Sequence, residues 1–307
     1  MDTSEGFTSE RTKRYSRQIV LPEVGPLGQL KLANASALIA GMGGLGCPAA
    51  YYLCAAGVGK IGVIDGDAVD LTNLHRQILH SVNDIGSPKV DSAKEKLNAL
   101  NPECTVVPRG ERLTASNVME IISGYDIVLD CTDNFATRFL INDACVIAGK
   151  PLFYGAVLKF FGQAITILPG KGPCYRCIFN EPPPVGITPT CVQAGIMGVV
   201  PGIIGLIQAT EALKYLLGMD DLLTGKLLTF DALTMELKKT DLRKNPKCPV
   251  CGSDPTINKP VEYELEPCDL DRDGANIDTV AYIAKALINE QTDREALKNE
   301  RIGKESL

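Results

Sequence analysis

The chain has 307 residues, enough for one large domain or two small ones, and its 45% hydrophobic and 22% charged residues are ordinary for a globular protein. A net charge of −6 provides no global field favouring nucleic acid or an anionic membrane. The acidic, polar start at Met1-Asp2-Thr3-Ser4-Glu5 has no signal-peptide core. Eleven cysteines are an odd number in a chain too long to need disulfides, so the expected setting is a reducing cytoplasm, with thiols free or bound to metal.

In chain order, Ser36 to Ala40 is a short apolar run entering a glycine-rich turn, Gly41-Met42-Gly43-Gly44-Leu45-Gly46, and Cys47 to Ala56 continues as a helix of small residues. Lys60 to Ile64 reads as a second strand ending at Asp65. Pro88 to Leu100 has apolar residues at helical spacing. Asp126 to Asp130 is a buried strand leading into Cys131-Thr132-Asp133-Asn134, and Phe135 to Ala148 is a helix. Two β-rich runs follow, 151–157 and 163–168, then a Pro/Gly-rich loop across 179–202. Val199 to Leu217 is apolar but interrupted by Pro201, Gln208, Glu211 and Lys214, which predicts a buried helix and no membrane span. Leu227 to Phe230 is a further strand. This alternation predicts an α/β fold: a Rossmann-like, mainly parallel sheet with helices on both faces. The expected division is a domain over 1–253 and a tail over 254–307. In the tail, 277–288 has an amphipathic pattern, and 269–274 imitates the start of a calcium loop but has Val280 where a bidentate Glu is required.

Gly41, Gly43 and Gly46 fit G-x-G-x-x-G between a strand and a helix, which lets backbone approach a phosphate at a helix amino end. Asp65 lies 19 residues after Gly46, where such units place a ribose-binding acid. A nicotinamide-dependent oxidoreductase would show the same pattern. Arg76 and Lys89 behind the acid, with Asn73 and Gln77 flanking Arg76 and Arg17 as a further cation, suit a triphosphate better than a dinucleotide, although isolated surface charges also look like this. Asp133, at the carboxyl end of a buried strand, reads either as a Mg²⁺ ligand or as a helix N-cap.

Two C-x-x-C pairs, Cys174/Cys177 and Cys248/Cys251, match a closed tetrahedral Zn²⁺ site that would tie a C-terminal β segment to the sheet, with a redox dithiol as the competing reading. Cys191, in Thr190-Cys191-Val192, is either an exposed nucleophile or a filler in its loop. Cys47, Cys54, Cys131 and Cys145 lie in apolar elements and read as core. With only His75 and His80 present and no G-x-S-x-G turn, a Ser-His-Asp hydrolase is not expected.

Over roughly Arg14 to Gly252 the chain resembles the adenylating enzymes of the ThiF/MoeB type, relatives of ubiquitin-activating enzymes. The resemblance rests on Arg14-Tyr15-Ser16-Arg17-Gln18, the glycine turn, Asp65-Gly66-Asp67, Asn73-Leu74-His75-Arg76-Gln77, Gly86-Ser87-Pro88-Lys89, Asp130 to Asn134, Thr190-Cys191 and the two cysteine pairs. It implies ATP- and Mg²⁺-dependent adenylation of the terminal glycine of a small ubiquitin-like sulfur carrier (MoaD/ThiS-like) with a Gly-Gly end. Gly41, Gly43, Gly44, Asp65, Asp67, Thr72, Asn73, Leu74, His75, Arg76, Gln77, Lys89, Asp133 and Asn134 then fall on the ATP site. Arg17 falls on an arginine that reaches a partner subunit's nucleotide, implying a homodimer. The four paired cysteines fall on structural Zn²⁺ ligands, and Cys191 on a cysteine that some members use to hold the carrier or its sulfur. The family's fused members end in a sulfur-delivering rhodanese domain. The residues after Gly252 do not resemble one, so a separate sulfur donor is expected. Within the same superfamily, adenylation of a modified tRNA base is the alternative chemistry, and a non-catalytic dinucleotide-binding scaffold is the alternative from another class.

Overall fold

The computed structural model describes residues 8–182 and 195–263. Cys191, the patterned segment 277–288 and the calcium-like stretch 269–280 lie outside them. Three N-terminal helices, α1 (Ser9–Arg14), α2 (Ser16–Ile19) and α3 (Gly25–Asn34), precede the sheet. They are anchored by Tyr15, which is buried and whose hydroxyl accepts from Asn101 Nδ2 at 2.8 Å.

The sheet has eight strands in the order β3-β2-β1-β4-β5-β6-β7-β8. Five of them, β1 (Ser36–Ala40), β2 (Lys60–Ile64), β3 (Thr105–Arg109), β4 (Ile127–Asp130) and β5 (Leu152–Leu158), pair in parallel. The remaining three, β6 (Phe161–Ile167), β7 (Lys226–Asp231) and β8 (Glu236–Asp241), add on antiparallel. β3 and β8 have no counterpart among the strands expected from the sequence. Both are edge strands. β3 contains Pro108, tolerable because one side of the strand is unpaired, and β8 is an exposed Glu-Leu-Lys-Lys run of the kind that discourages edge pairing.

Side-chain alternation along the central strands divides the core in two. Ala37, Ile39, Ile127 and Leu129 face one layer, with α4 (Gly46–Ala56), α5 (Lys89–Leu100) and α9 (Val199–Leu217). Leu38, Ala40 and Val128 face the other, with α6 (Val118–Ser123), α7 (Phe135–Ile147) and α8 (Tyr175–Ile178). Helices on both faces of a mostly parallel sheet are the architecture expected. By length and composition α9 could cross a membrane, but in this fold it packs on α4, β5 and β6.

Gln208 of α9 fixes that packing. Its Nε2 donates to Asp130 O at 2.7 Å and to Phe153 O at 2.9 Å, joining the helix to the ends of β4 and β5. Gln208 is 1% exposed, so Gln208→Ala leaves a void and two carbonyls without their donor. We expect a loss of about 3 kcal/mol, read as a lower urea midpoint at unchanged slope.

Candidate functional site

The strand order reverses between β1 and β4, and in open α/β sheets the crevice beyond such a reversal binds ligands. The glycine turn occupies it. Gly41 has φ +92°, and a Cβ on Gly46 would lie 1.9 Å from Gly41 O, so only glycines allow α4 to start this close to the end of β1. The result is a cavity of about 320 Å³ above the carboxyl ends of the parallel strands, with the amino end of α4 at its floor.

Gly41, Gly43, Gly44, Asp65, Asp67, Arg76, Gln77, Lys89, Asp133 and Asn134 all line this cavity. Asp65, at the end of β2, accepts from Met42 N at 2.7 Å and Asp67 N at 2.8 Å. Burial pushes its carboxyl up, against the pull of Lys89. The Lys89 ammonium, 5% exposed, sits 3.0 Å from Asp67 Oδ2 and 3.9 Å from Asp65 Oδ2. Burial also opposes ionisation of Asp67, but Lys89 and Arg112 outweigh it and hold that carboxyl below its ordinary value. Gln77 is buried, and its Oε1 has no hydrogen-bond partner among the described residues.

Asn73 and Thr72 act from behind. Asn73 Oδ1 accepts from Arg76 Nη2 at 2.6 Å and Thr72 O accepts from Nη1 at 3.3 Å, which aims the guanidinium. His75 Nε2 lies 3.4 Å from the same Nη1. Thr72, Asn73, Leu74 and His75 do not themselves line the cavity. Arg17 is exposed on α2 and is likewise absent from the wall. Asn134 caps α7, accepting from Thr137 N at 2.9 Å. Asp133 is therefore not the N-cap: it is exposed at the cavity, with no hydrogen bond or ion pair to another described residue. A free carboxylate of this kind is a suitable oxygen donor for a hard cation.

Arg112 and Tyr263 are among the cavity residues that escaped the sequence reading. Arg112, 3.3 Å from Asp67 Oδ1, follows the unrecognised strand β3. Tyr263 reaches the wall from the chain after the second cysteine pair. An Arg just beyond a parallel strand would have marked the first, had β3 been identified.

The Sγ atoms of Cys174, Cys177, Cys248 and Cys251 lie within 4.8 Å of one another, with Cys174–Cys248 at 3.6 Å and Cys177–Cys251 at 3.4 Å. A tetrahedral tetrathiolate site with ~2.3 Å metal–sulfur bonds places its sulfurs about 3.8 Å apart. The cluster therefore fits a metal ion, and Asn245 N adds a donor to Cys177 Sγ at 3.4 Å. Cys47, Cys54, Cys131 and Cys145 are buried, as expected. Burial pushes the Cys47 thiol up to about 12, which leaves it unreactive.

The ThiF family model matches residues 15–250. The chain belongs to the ThiF family. It is 49% identical over 263 residues to a sulfur carrier protein adenylyltransferase of Thermus thermophilus, covering 84% of this chain and 97% of that one. It is 49% identical over 239 residues to the SAMP-activating enzyme E1 of Haloferax volcanii, covering 78% and 88%. Against the adenylyltransferase and sulfurtransferase MOCS3 of Drosophila sechellia the identity is 49% over 260 residues, but the match spans only 57% of that longer protein. Among solved structures, E. coli MccB with MccA-N7isoASN superimposes with a TM-score of 0.70 at 23% identity, covering 81% of this chain and 76% of that one, a likeness of fold.

The cysteine geometry predicts about one tightly held metal ion per chain. We expect Cys248→Ser to lose it, read by elemental analysis, and to lower the melting temperature by about 10 °C.

Proposed function

We propose that this ThiF-family protein is an ATP-dependent adenylyltransferase that activates the C-terminal glycine carboxylate of a ubiquitin-like sulfur carrier. The observation that carries the reading is the convergence of Arg76, Lys89 and Arg112 with the amino end of α4 on one cavity at the sheet's switch point. The names of the Thermus and Haloferax relatives, whose chains this one nearly spans, support the same activity.

The chemistry suits the residues. The carrier's terminal carboxylate, with a pKa near ~3.5, is already an anion at neutral pH, so no general base is needed. Accordingly, neither histidine lines the cavity. His80 is buried, hydrogen-bonded to Ser92 and Met42 O, and burial pushes its pKa below the ordinary imidazole value. One carboxylate oxygen attacks the α-phosphorus, a new P–O bond forms, the α–β bridging bond breaks, and pyrophosphate departs, leaving an acyl adenylate. The barrier lies in bringing an anion to a polyanion and in stabilising the charge on the leaving group, which positioned cations and helix-end N–H groups provide. In this reading Asp65 holds the ribose, the glycine turn the phosphates, and Arg76, Lys89 and Gln77 the departing oxygens. Asp133, with Asn134 beside it, is the residue to hold Mg²⁺, which would supply further neutralisation of the triphosphate.

The four-cysteine cluster is a structural Zn²⁺ site in this proposal, since four sulfurs leave no open position for catalysis. Arg17, exposed on α2, is suited to act in the second copy of a homodimer. Sulfur reaches the acyl adenylate from a separate donor, with Cys191 as the residue that would relay it. The enzyme works in the cytoplasm.

Arg76→Ala and Lys89→Ala are each expected to lower carrier-dependent ATP–pyrophosphate exchange at least about 100-fold while the circular-dichroism spectrum stays native. Exchange at the wild-type rate in both variants would remove their assigned roles. Cys191→Ala is expected to keep exchange intact and to slow thiocarboxylate formation, read as a +16 Da product on the carrier by mass spectrometry; normal thiocarboxylation would show that the thiol is dispensable.

A further inference from the structure

Residues 252–263, which follow Cys251, stay on the fold. Ile257 N donates to Pro249 O at 2.8 Å, Glu262 Oε2 accepts from Ala115 N at 2.6 Å, and Glu262 and Tyr263 both enter the cavity wall. Tyr263 is held from two sides. Its hydroxyl accepts from Arg176 Nη2, and its ring lies 5.9 Å from that of Phe139 on α7. Arg176 stands between Cys174 and Cys177 and is itself fixed by a bidentate pair to Asp143 at 2.7 and 2.8 Å, where the two side chains are 3% and 0% exposed.

The part of the wall that Tyr263 joins is apolar. Leu113, Leu140 and Tyr263 belong to one hydrophobic cluster, on the α6–α7 face of the sheet. The glycine turn's Met42 and Leu45 belong to the opposite layer, and Arg76 lies beside Gly44 on that side. A nucleotide with its ribose on Asp65 and its phosphates over the glycine turn would extend its base toward this apolar end. An aromatic ring there offers a stacking face, while the neighbouring Glu262 carboxylate makes the same end hostile to phosphate.

We propose that Tyr263 is a base-contacting residue of the nucleotide cavity, positioned by Arg176 of the first cysteine pair, so that the strap downstream of the cluster completes the nucleotide site. This rests on the nucleotide reading given above. It extends the site past the second cysteine pair and makes the cluster a support of nucleotide affinity as well as of the fold.

The test is isothermal titration calorimetry on the full-length, metal-loaded chain, with ATP and with inorganic tripolyphosphate, which has no base. Tyr263→Ala and the bulk-retaining Tyr263→Leu should weaken ATP about tenfold, the scale of one lost base–aromatic stack, and leave tripolyphosphate unchanged. Tyr263→Phe, which keeps the ring and loses only the hydroxyl held by Arg176, should weaken ATP about threefold. Wild-type ATP affinity in the Ala and Leu variants would overturn the proposal. Equal weakening of ATP and tripolyphosphate would also overturn it, since the strap would then only support the fold. If the unaltered chain binds ATP no better than tripolyphosphate, the nucleotide reading itself fails and this inference fails with it.

Discussion

The site depends on how closely the backbone of the glycine turn packs against itself and against β4. Gly46 has no room for a side chain against Gly41 O, and a Cβ on Gly41 would lie 2.7 Å from Cys131 O. Those contacts bring the ends of β1 and β4 together while turning the chain into α4. They place the amino end of α4 under the cavity and the Thr132–Asn134 loop beside it. The charged residues of the cavity wall are arranged around that point. The two oxygens of Asp65 accept from backbone N–H groups of the turn and of Asp67, so the acid both shapes the turn and lines the cavity.

Charge balance sets where these cations sit. Lys89 is nearly buried, a costly position for an ammonium unless it is paired. Asp67 and Asp65 pair it. Arg112 shares Asp67 from the solvent side, and Arg76 is aimed by Asn73 and Thr72, neutral groups that hold a guanidinium without cancelling its charge. The cavity can thus receive a polyanion with little side-chain rearrangement, the condition under which fixed charges lower a barrier most.

The parts of the site built from ordered local motifs were legible in the sequence. The glycine turn, Asp65, Arg76, Gln77, Lys89, Asp133 and Asn134 converge because each follows the carboxyl end of a parallel strand or the segment just beyond it. The two C-x-x-C pairs were equally legible, since ligand spacing survives any path between them. What stayed hidden depends on tertiary context. β3 carries a proline that usually argues against a strand, and only its edge position permits it. Without β3, Arg112 is one charge among many. The choice between Asp133 and Asn134 as the α7 cap cannot be made from composition, because either side chain can accept the first-turn N–H; the structure gives that task to Asn134 and leaves Asp133 facing the cavity. Thr72 and Asn73 look like ligands in the sequence and in the fold orient a ligand-facing arginine.

The strap beyond Cys251 shows why the expected boundary at 253 is a division of sequence pattern rather than of the site. Residues 254–263 form no helix or strand, so periodicity gives them no place. Their path is set by long-range contacts: Ile257 to Pro249, Glu262 to Ala115 and Tyr263 to Arg176. The Arg176–Asp143 pair is fully enclosed, and an enclosed ion pair contributes less to net stability than to fixing one arrangement of its neighbours. Here it fixes a guanidinium between two cysteines of the four-cysteine cluster and directs its remaining N–H groups to Asn180 O and the Tyr263 hydroxyl. A charge pair buried in the layer of α7 and α8 thereby sets the position of an aromatic ring at the cavity wall, one element away from the cluster that holds it.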